Sequence, residues 1–276
     1  MLIRVSIMSM SSLIIRLRLL LHVTVAWTFA FILPTHCLAQ NPIGPGGSWK
    51  LLWHDEFNGK SVDTSKWDFA YRWGQTNNPD TEPQVYEPWD VSEGDGNLIL
   101  EAQVQQQSYN GKSYQYTSGM VSAKPKYDMT FGCVEARLKC PAGAGLWPAF
   151  WMIYVPAKPY EEIDMLELLG YDPTIAHCGC HLPALSARLA DVTGTWTQSF
   201  HVYTLDWEPT YIREYIDGKV IGEYTDAANI AGEPLTIIFN LALANPGSWA
   251  NETSSISASF PSSMQIDYVR VWKKKP

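Results

Sequence analysis

Short runs of alternating apolar residues, divided by turn residues, recur along this chain of 276 residues from Trp49 onward. Leu51-Leu52-Trp53, Leu98 to Ala102, Gly119 to Ala123 and Cys133 to Lys139 come first. Phe200 to Trp207, Ile212 to Ile216, Val220 to Tyr224, Leu235 to Leu243 and Met264 to Trp272 follow. Alternation at period two marks a strand with one buried face, whereas a helix repeats its apolar positions about every 3.6 residues. No stretch carries a convincing helical period. Asp217-Gly218 between two of the runs is a hairpin turn, since both residues accept the positive φ of a tight connection. Many short strands with regular turns specify an all-β fold, a jelly-roll sandwich of two curved antiparallel sheets with a concave cleft. Neither an internal repeat nor a second domain interrupts residues 49–276.

Residues 1–39 read differently. They carry Arg4, Arg16 and Arg18 and no acid, then an apolar run from Leu19 to Leu33, then Pro34 to Ala39. A positive start, an apolar middle and a small residue at the end describe a signal peptide, with cleavage expected after Ala39. The run is short for a span of roughly 20 residues and His22 interrupts it, which argues against a membrane anchor. Residues 40–48 are rich in Pro and Gly, a linker or an arm wrapped on the domain. The expected product is secreted, extracellular or periplasmic, and free of the membrane once cleaved.

Without the leader the chain has 17 basic and 28 acidic residues, a net charge of −11. Such a surface disfavours nucleic acid, anionic membrane and strongly anionic polymers. Twelve Trp and fourteen Tyr suit stacking on the apolar faces of sugar rings, although sandwich cores also use them. Four cysteines remain, and their spacing matches no common zinc pattern. Cys133 and Cys140 differ by an odd offset and face opposite ways on a regular strand, while Cys178 and Cys180 face the same way. Both bridges between strands and free buried thiols are compatible with this pattern.

The segment Glu162-Ile163-Asp164-Met165-Leu166-Glu167 holds the chemistry. Glu162 and Asp164 share a strand face, but Glu167 lies at an odd offset and a regular strand would turn it away. One extra residue at Met165 or Leu166, a β-bulge, restores the phase and brings all three acids to one face. The two Glu Cα atoms then lie roughly 13 Å apart along the strand, and inward-leaning side chains approach the about 5 Å separation of a retaining glycosidase. Acids alternating on a strand are often only a solvated face. Here Trp151 to Val155 precedes them and Leu168-Leu169 follows, and three acids among such neighbours are costly to bury without a task.

With these residues in hand, the chain resembles glycoside hydrolase family 16, the laminarinase-like β-glucanases. Glu162 to Glu167 matches the family's Glu-x-Asp-x-x-Glu pattern, and Gly145 to Trp151 its Trp-rich strand. Trp53 to Gly59, Asp95 to Leu98 and Ile266 to Trp272 resemble its opening, second and closing landmarks. The resemblance implies Glu162 as nucleophile, Glu167 as acid/base and Asp164 as their assistant, on a neutral β-glucan of β-1,3 or mixed β-1,3/1,4 linkage. It implies a monomer that needs no cofactor for its chemistry. Trp147 and Trp151 share parity and are expected to face sugar, with His177 and Asn240 as further substrate contacts. Glu135, Arg137 and Lys139 share a face that a solvated surface explains. A structural calcium ion is implied at Asp267 with the carbonyls of Glu56 and Gly96. One departure stands out. Relatives place an Asn where this chain has Asp90, within Trp89-Asp90-Val91; an ionised Asp accepts but cannot donate, and Trp89 offers a stacking platform in its place. Cleavage of galactans such as agarose or carrageenan, and a sandwich that only binds glycan, are the alternatives. Asn251-Glu-Thr is an N-glycosylation sequon that matters in a eukaryotic host.

Overall fold

A computed structural model describes residues 41–78, 80–154, 161–182 and 185–276; the expected leader lies outside the described residues. The described residues form a single unit. Its strands are β1 (Trp49–Asp55), β2 (Trp67–Asp68), β3 (Gln84–Tyr86), β4 (Val91–Gly94), β5 (Asn97–Gln103), β6 (Gln107–Tyr109), β7 (Lys112–Tyr114), β8 (Tyr116–Ser118), β9 (Met120–Ala123) and β10 (Gly132–Lys139). There follow β11 (Leu146–Tyr154), β12 (Glu162–Leu168), β13 (Ile175–Leu182), β14 (Leu185–Thr193), β15 (His201–Glu208), β16 (Tyr211–Ile216), β17 (Lys219–Tyr224), β18 (Leu235–Leu243) and β19 (Ser262–Lys274). Three short 3₁₀ turns are the helical elements among the described residues.

Two sheets make the jelly-roll sandwich. The cleft sheet has the order β14-β13-β12-β11-β18-β9-β2, and the back sheet β17-β16-β15-β10-β19-β5-β8-β3, with β1 also on β19 and β4 on β5. Pairing is antiparallel except between β3 and β8. The predicted turn at Asp217-Gly218 joins β16 to β17 with φ of 49° and 77°, which only a residue pair tolerant of the left-handed region supplies. In β18, Leu235, Ile237, Phe239, Leu241 and Leu243 enter the core. The alternate residues face the cleft, and all nine are buried because the strand lies mid-sheet. Phe150 stacks on Phe239 at 4.5 Å between ring centroids, and Val134, Leu205, Ile212 and Val269 of the back sheet close the same core. Each such side chain contributes about 1.5–3 kcal/mol on full burial.

Residues 41–48 form the wrapped arm, not a free linker. Ile43 N–H donates to Glu135 Oε2 at 2.6 Å, and Trp49 packs on Cys133 and Trp272. Glu135 is therefore fully buried, a correction to the solvated face expected of it; Arg137 and Lys139 are partly exposed as that face requires. Thr204 Oγ1 and Tyr268 O–H also donate to Glu135, at 3.1 and 3.0 Å. All four described cysteines are free and buried. Cys178 and Cys180 share the core face, while Cys133 and Cys140 lie on opposite faces of β10 and its extension. No helix among the described residues is long and apolar enough to cross a membrane.

Candidate active site

The site is built on β12. Against β11, Leu166 pairs with Phe150 and Asp164 with Trp151, so Met165 has no partner. Against β13, Glu167 pairs with His177 and Asp164 with Gly179. This is the expected bulge. Ile163, Met165, Leu166 and Leu168 all enter the core, two of them consecutive, and that doubled inward step returns Glu167 to the face of Glu162 and Asp164. All three acids line one cleft with Trp147, Trp151 and Asn240. Gly170 closes the strand end: a Cβ there would lie 2.1 Å from the carbonyl oxygen of Gly143, so only glycine lets the loop before β11 approach so closely.

Burial raises the carboxyl pKa of all three acids. Asp164, deepest, is pushed well above its ordinary value by burial and then by the charges of Glu162 and Glu167. Glu162 and Glu167 are raised to about 8 and about 7, burial being the main cause in each; Glu167 charge adds to the first, while a hydrogen bond from Trp147 and the charge of Arg188 moderate the second. These two steps belong to the pair, which carries a single shared proton between them in the window from about 7 to about 8. Trp147 Nε1–H donates to Glu167 Oε1 at 3.1 Å. His181 Nε2 sits 3.7 Å from both Glu162 Oε1 and Asp164 Oδ2.

One end of the cleft is a polar network beneath aromatic rings. Trp151 Nε1–H donates to Asn240 Oδ1 at 2.7 Å, and Asn240 Nδ2–H to Tyr86 O–H at 3.0 Å. Gln84 joins Tyr86 to Glu82, a buried carboxyl that also lines the cleft and is raised to about 7 by burial. Tyr71 meets Trp151 edge-on and stacks on the half-exposed Trp73 at 4.6 Å with planes 4° apart.

The other end is lined by His177, His181, Ser186 and Arg188. His177 Nδ1 lies 2.6 Å from Asp191 Oδ1, which Arg188 Nη1–H also reaches at 2.6 Å. Trp249, 44% exposed, stands over this group: its ring is 5.8 Å from Trp147, 5.7 Å from His177 and 5.4 Å from the Arg188 guanidinium.

Trp147, Trp151, Asn240 and His177 thus reach the cleft as the sequence implies. Trp89 does not: it is exposed on the turn before β4, outside the residues that line the acid-bearing cleft. Asp90 turns the other way, buried and accepting from Gln103 Nε2 at 2.6 Å, outside the residues that line the acid-bearing cleft. Sequence reasoning missed Tyr71, Trp73, Glu82, Arg188, Asp191 and Trp249. Only the last had a local signal, an aromatic in the Gly247-Ser248-Trp249 loop just past β18. At the back sheet, β19 pairs with β5 up to Ile266 and with β1 from Val269, which brings Glu56 and Gly96 to the strand edge at Asp267. The Asp267 carboxylate is met there by Arg137 Nη1 at 2.5 Å, a cation competing for the oxygen a calcium ion would need. The Asn251 side chain is fully buried; its Nδ2 hydrogens go to the carbonyls of Ala244 and Ser255, and Thr253 Oγ1 donates to its Oδ1.

A β-sandwich with one buried and two half-buried carboxyls on one bulged strand, floored by tryptophan, defines the class: a glycoside hydrolase of the jelly-roll type. The chain belongs to glycosyl hydrolases family 16, whose model matches residues 85–270. It is 33% identical to glucan endo-1,3-beta-glucosidase A1 of Niallia circulans, over 82% of this chain and 38% of that one. It is 30% identical to a beta-glucanase of Rhodothermus marinus, over 82% and 85%. Among solved structures it superposes on the endo-beta-1,3-glucanase of Pyrococcus furiosus with a TM-score of 0.74 and 30% identity, covering 86% of this chain and 98% of that one. The chain spans well under half of the first of these relatives and most of the other two.

Proposed function

We propose that this chain is a secreted, monomeric, retaining endo-β-glucanase that cuts β-1,3 or mixed β-1,3/1,4 glucans. The carrying observation is the bulge in β12, which sets Glu162, Asp164 and Glu167 on one face beside Trp147 and Trp151. Glu162, ionised, attacks the anomeric carbon, and Glu167 gives its proton to the departing glycosidic oxygen. A water then enters, Glu167 takes back a proton from it, and the glycosyl–Glu162 ester is hydrolysed with the anomeric configuration retained. Asp164, between them, accepts or shares a proton with Glu162 when the nucleophile is not bonded to sugar, and leaves Glu162 ionised for the attack. Trp147 orients Glu167 through its N–H. Aromatic rings at both ends, Tyr71 with Trp73 and Trp249, favour a chain running through the cleft and hence internal cleavage.

Reducing ends released from laminarin or barley-type glucan, with β-configured first products by NMR, are the expected result, and Glu162→Gln abolishes them. A wild type inactive on every β-glucan sinks the substrate; activity on agarose or carrageenan moves it to galactans. Binding without hydrolysis, unchanged in Glu167→Gln, would leave a glycan-binding sandwich. The calcium ion at Asp267, Glu56 and Gly96 belongs to the same proposal as a structural ion of weak affinity, since oxygen donors suit it but Arg137 competes. Equal melting temperatures in chelator and in calcium would remove it.

A further inference from the structure

The core between the sheets holds a carboxyl that the chemistry above does not use. In β16, Ile212, Glu214 and Ile216 point the same way, and both isoleucines enter the main core. Glu214 is 1% exposed, and neither of its carboxyl oxygens has a hydrogen-bond partner of ordinary geometry. A charged carboxylate left so would be costly, and burial accordingly holds its pKa well above the ordinary value. The polar group that faces it is the thiol of Cys178, across the core on β13.

Cys178 is itself committed. Its S–H donates to the carbonyl oxygen of Met165 at 3.3 Å, and Met165 is the unpaired residue of the β12 bulge. A thiol has one hydrogen, so the sulfur presents only lone pairs to Glu214. A neutral Glu214 is the complementary partner, because its O–H can donate to that sulfur. The groups then run in one direction: Glu214 O–H toward Cys178 Sγ, and Cys178 S–H to O=C of Met165. Cys180 lies beside Cys178 on the same core face of β13. Cys178 thus links the bulge residue to β13, and Glu214 of the back sheet faces that thiol.

We propose that Glu214 is a positioning residue of the active site: as a neutral acid it acts through Cys178 to hold the Met165 bulge in the phase that keeps Glu162, Asp164 and Glu167 on one face. Glu214 touches no substrate. An apolar residue would fill the same space with less desolvation cost, so stability and activity should part company when it is replaced.

The inference rests on the glycosidase reading, and the test separates the two: wild type is first run on the glycan panel, and the variants are compared on whichever glycan it cleaves. The pair's titration is also followed without substrate by carboxyl carbon-13 NMR. Glu214→Leu is expected to lower kcat about tenfold by loosening the acids, with KM within twofold and no fall in melting temperature. Glu214→Gln, whose amide N–H can still donate, restores kcat to within twofold. Cys178→Ala repeats the kcat loss, and Cys178→Ala with Glu214→Leu is no worse than either alone. An unchanged kcat and unchanged pair titration in Glu214→Leu overturn the proposal, as do losses that multiply in the double variant or that follow the melting temperature. Should Glu214→Leu not fold, Cys178→Ala carries the test, and a wild-type kcat there overturns it.

Discussion

The two faces of the sandwich each bury carboxyls, and they treat them differently. On the back face Glu135 is met by three donors, Ile43 N–H, Thr204 O–H and Tyr268 O–H, with Arg270 close by. On the cleft face Glu167 receives one hydrogen bond from Trp147, and Glu162 and Asp164 look onto His181 at 3.7 Å. A buried acid ringed with donors fastens structure. One left short of donors keeps its proton in play and its free energy high, which is what proton transfer and nucleophilic attack require. Between these two faces it is the supply of donors, and not burial alone, that sets the working acids apart.

The comparison can be broken most sharply at Glu162. Glu162→Gln should cost on the order of 10⁴-fold or more in kcat while the protein folds normally. Glu167→Gln should cost roughly 10²–10⁴-fold, least for substrates with an activated leaving group that needs no proton. Retained activity in either variant would remove the role from that residue. On the back face, Glu135→Ala should leave kcat unchanged and lower stability by about 2–4 kcal/mol, since three donors lose their acceptor; a denaturant titration reads it, and a loss of kcat at full stability would contradict the division between faces.

The same contrast predicts pH effects. Only the singly protonated pair is competent, so kcat/KM against pH should be a narrow bell with limbs near about 7 and about 8. Stability has a definite sign as well. Both acids have folded pKa values above the 4.5 of the free side chain, so the folded state binds more protons, and stability falls as pH rises from about 4.5 through the folded values. Glu167→Gln should therefore gain on wild type by roughly 3 kcal/mol between pH about 4.5 and about 7. A difference flat with pH, measured by thermal unfolding, would mean that the cleft acids are not strained by burial. The smallest effect is expected at Trp249→Ala, about a fivefold rise in KM from a lost stacking contact of about 1 kcal/mol, with kcat nearly constant.

Much of the fold was legible because strand alternation is local. The run from Leu235 to Leu243 coincides with β18, and Asp217-Gly218 turns where its chemistry says it should. The bulge was legible too, since three acids cannot share a face across an odd offset without it. What stayed hidden depends on contacts between distant segments. Glu135 reads as surface until the arm at Ile43 covers it. Trp89 and Asp90 read as cleft residues, but the turn at Pro88 sends one to solvent and the other inward to Gln103. Arg188 and Asp191 reach His177 only through a register shift between β13 and β14, which no local pattern announces.

The buried amide of Asn251 has a consequence for making the protein. In a host that attaches glycans to Asn-x-Thr, the side chain is reachable only while the chain is still unfolded. A sugar added then would deny the loop its bonds to Ala244, Ser255 and Thr253 and displace the neighbouring Trp249. Occupancy at this position would thus record how slowly the loop closed during folding, and batches of differing occupancy would differ in how firmly the cleft holds a sugar chain.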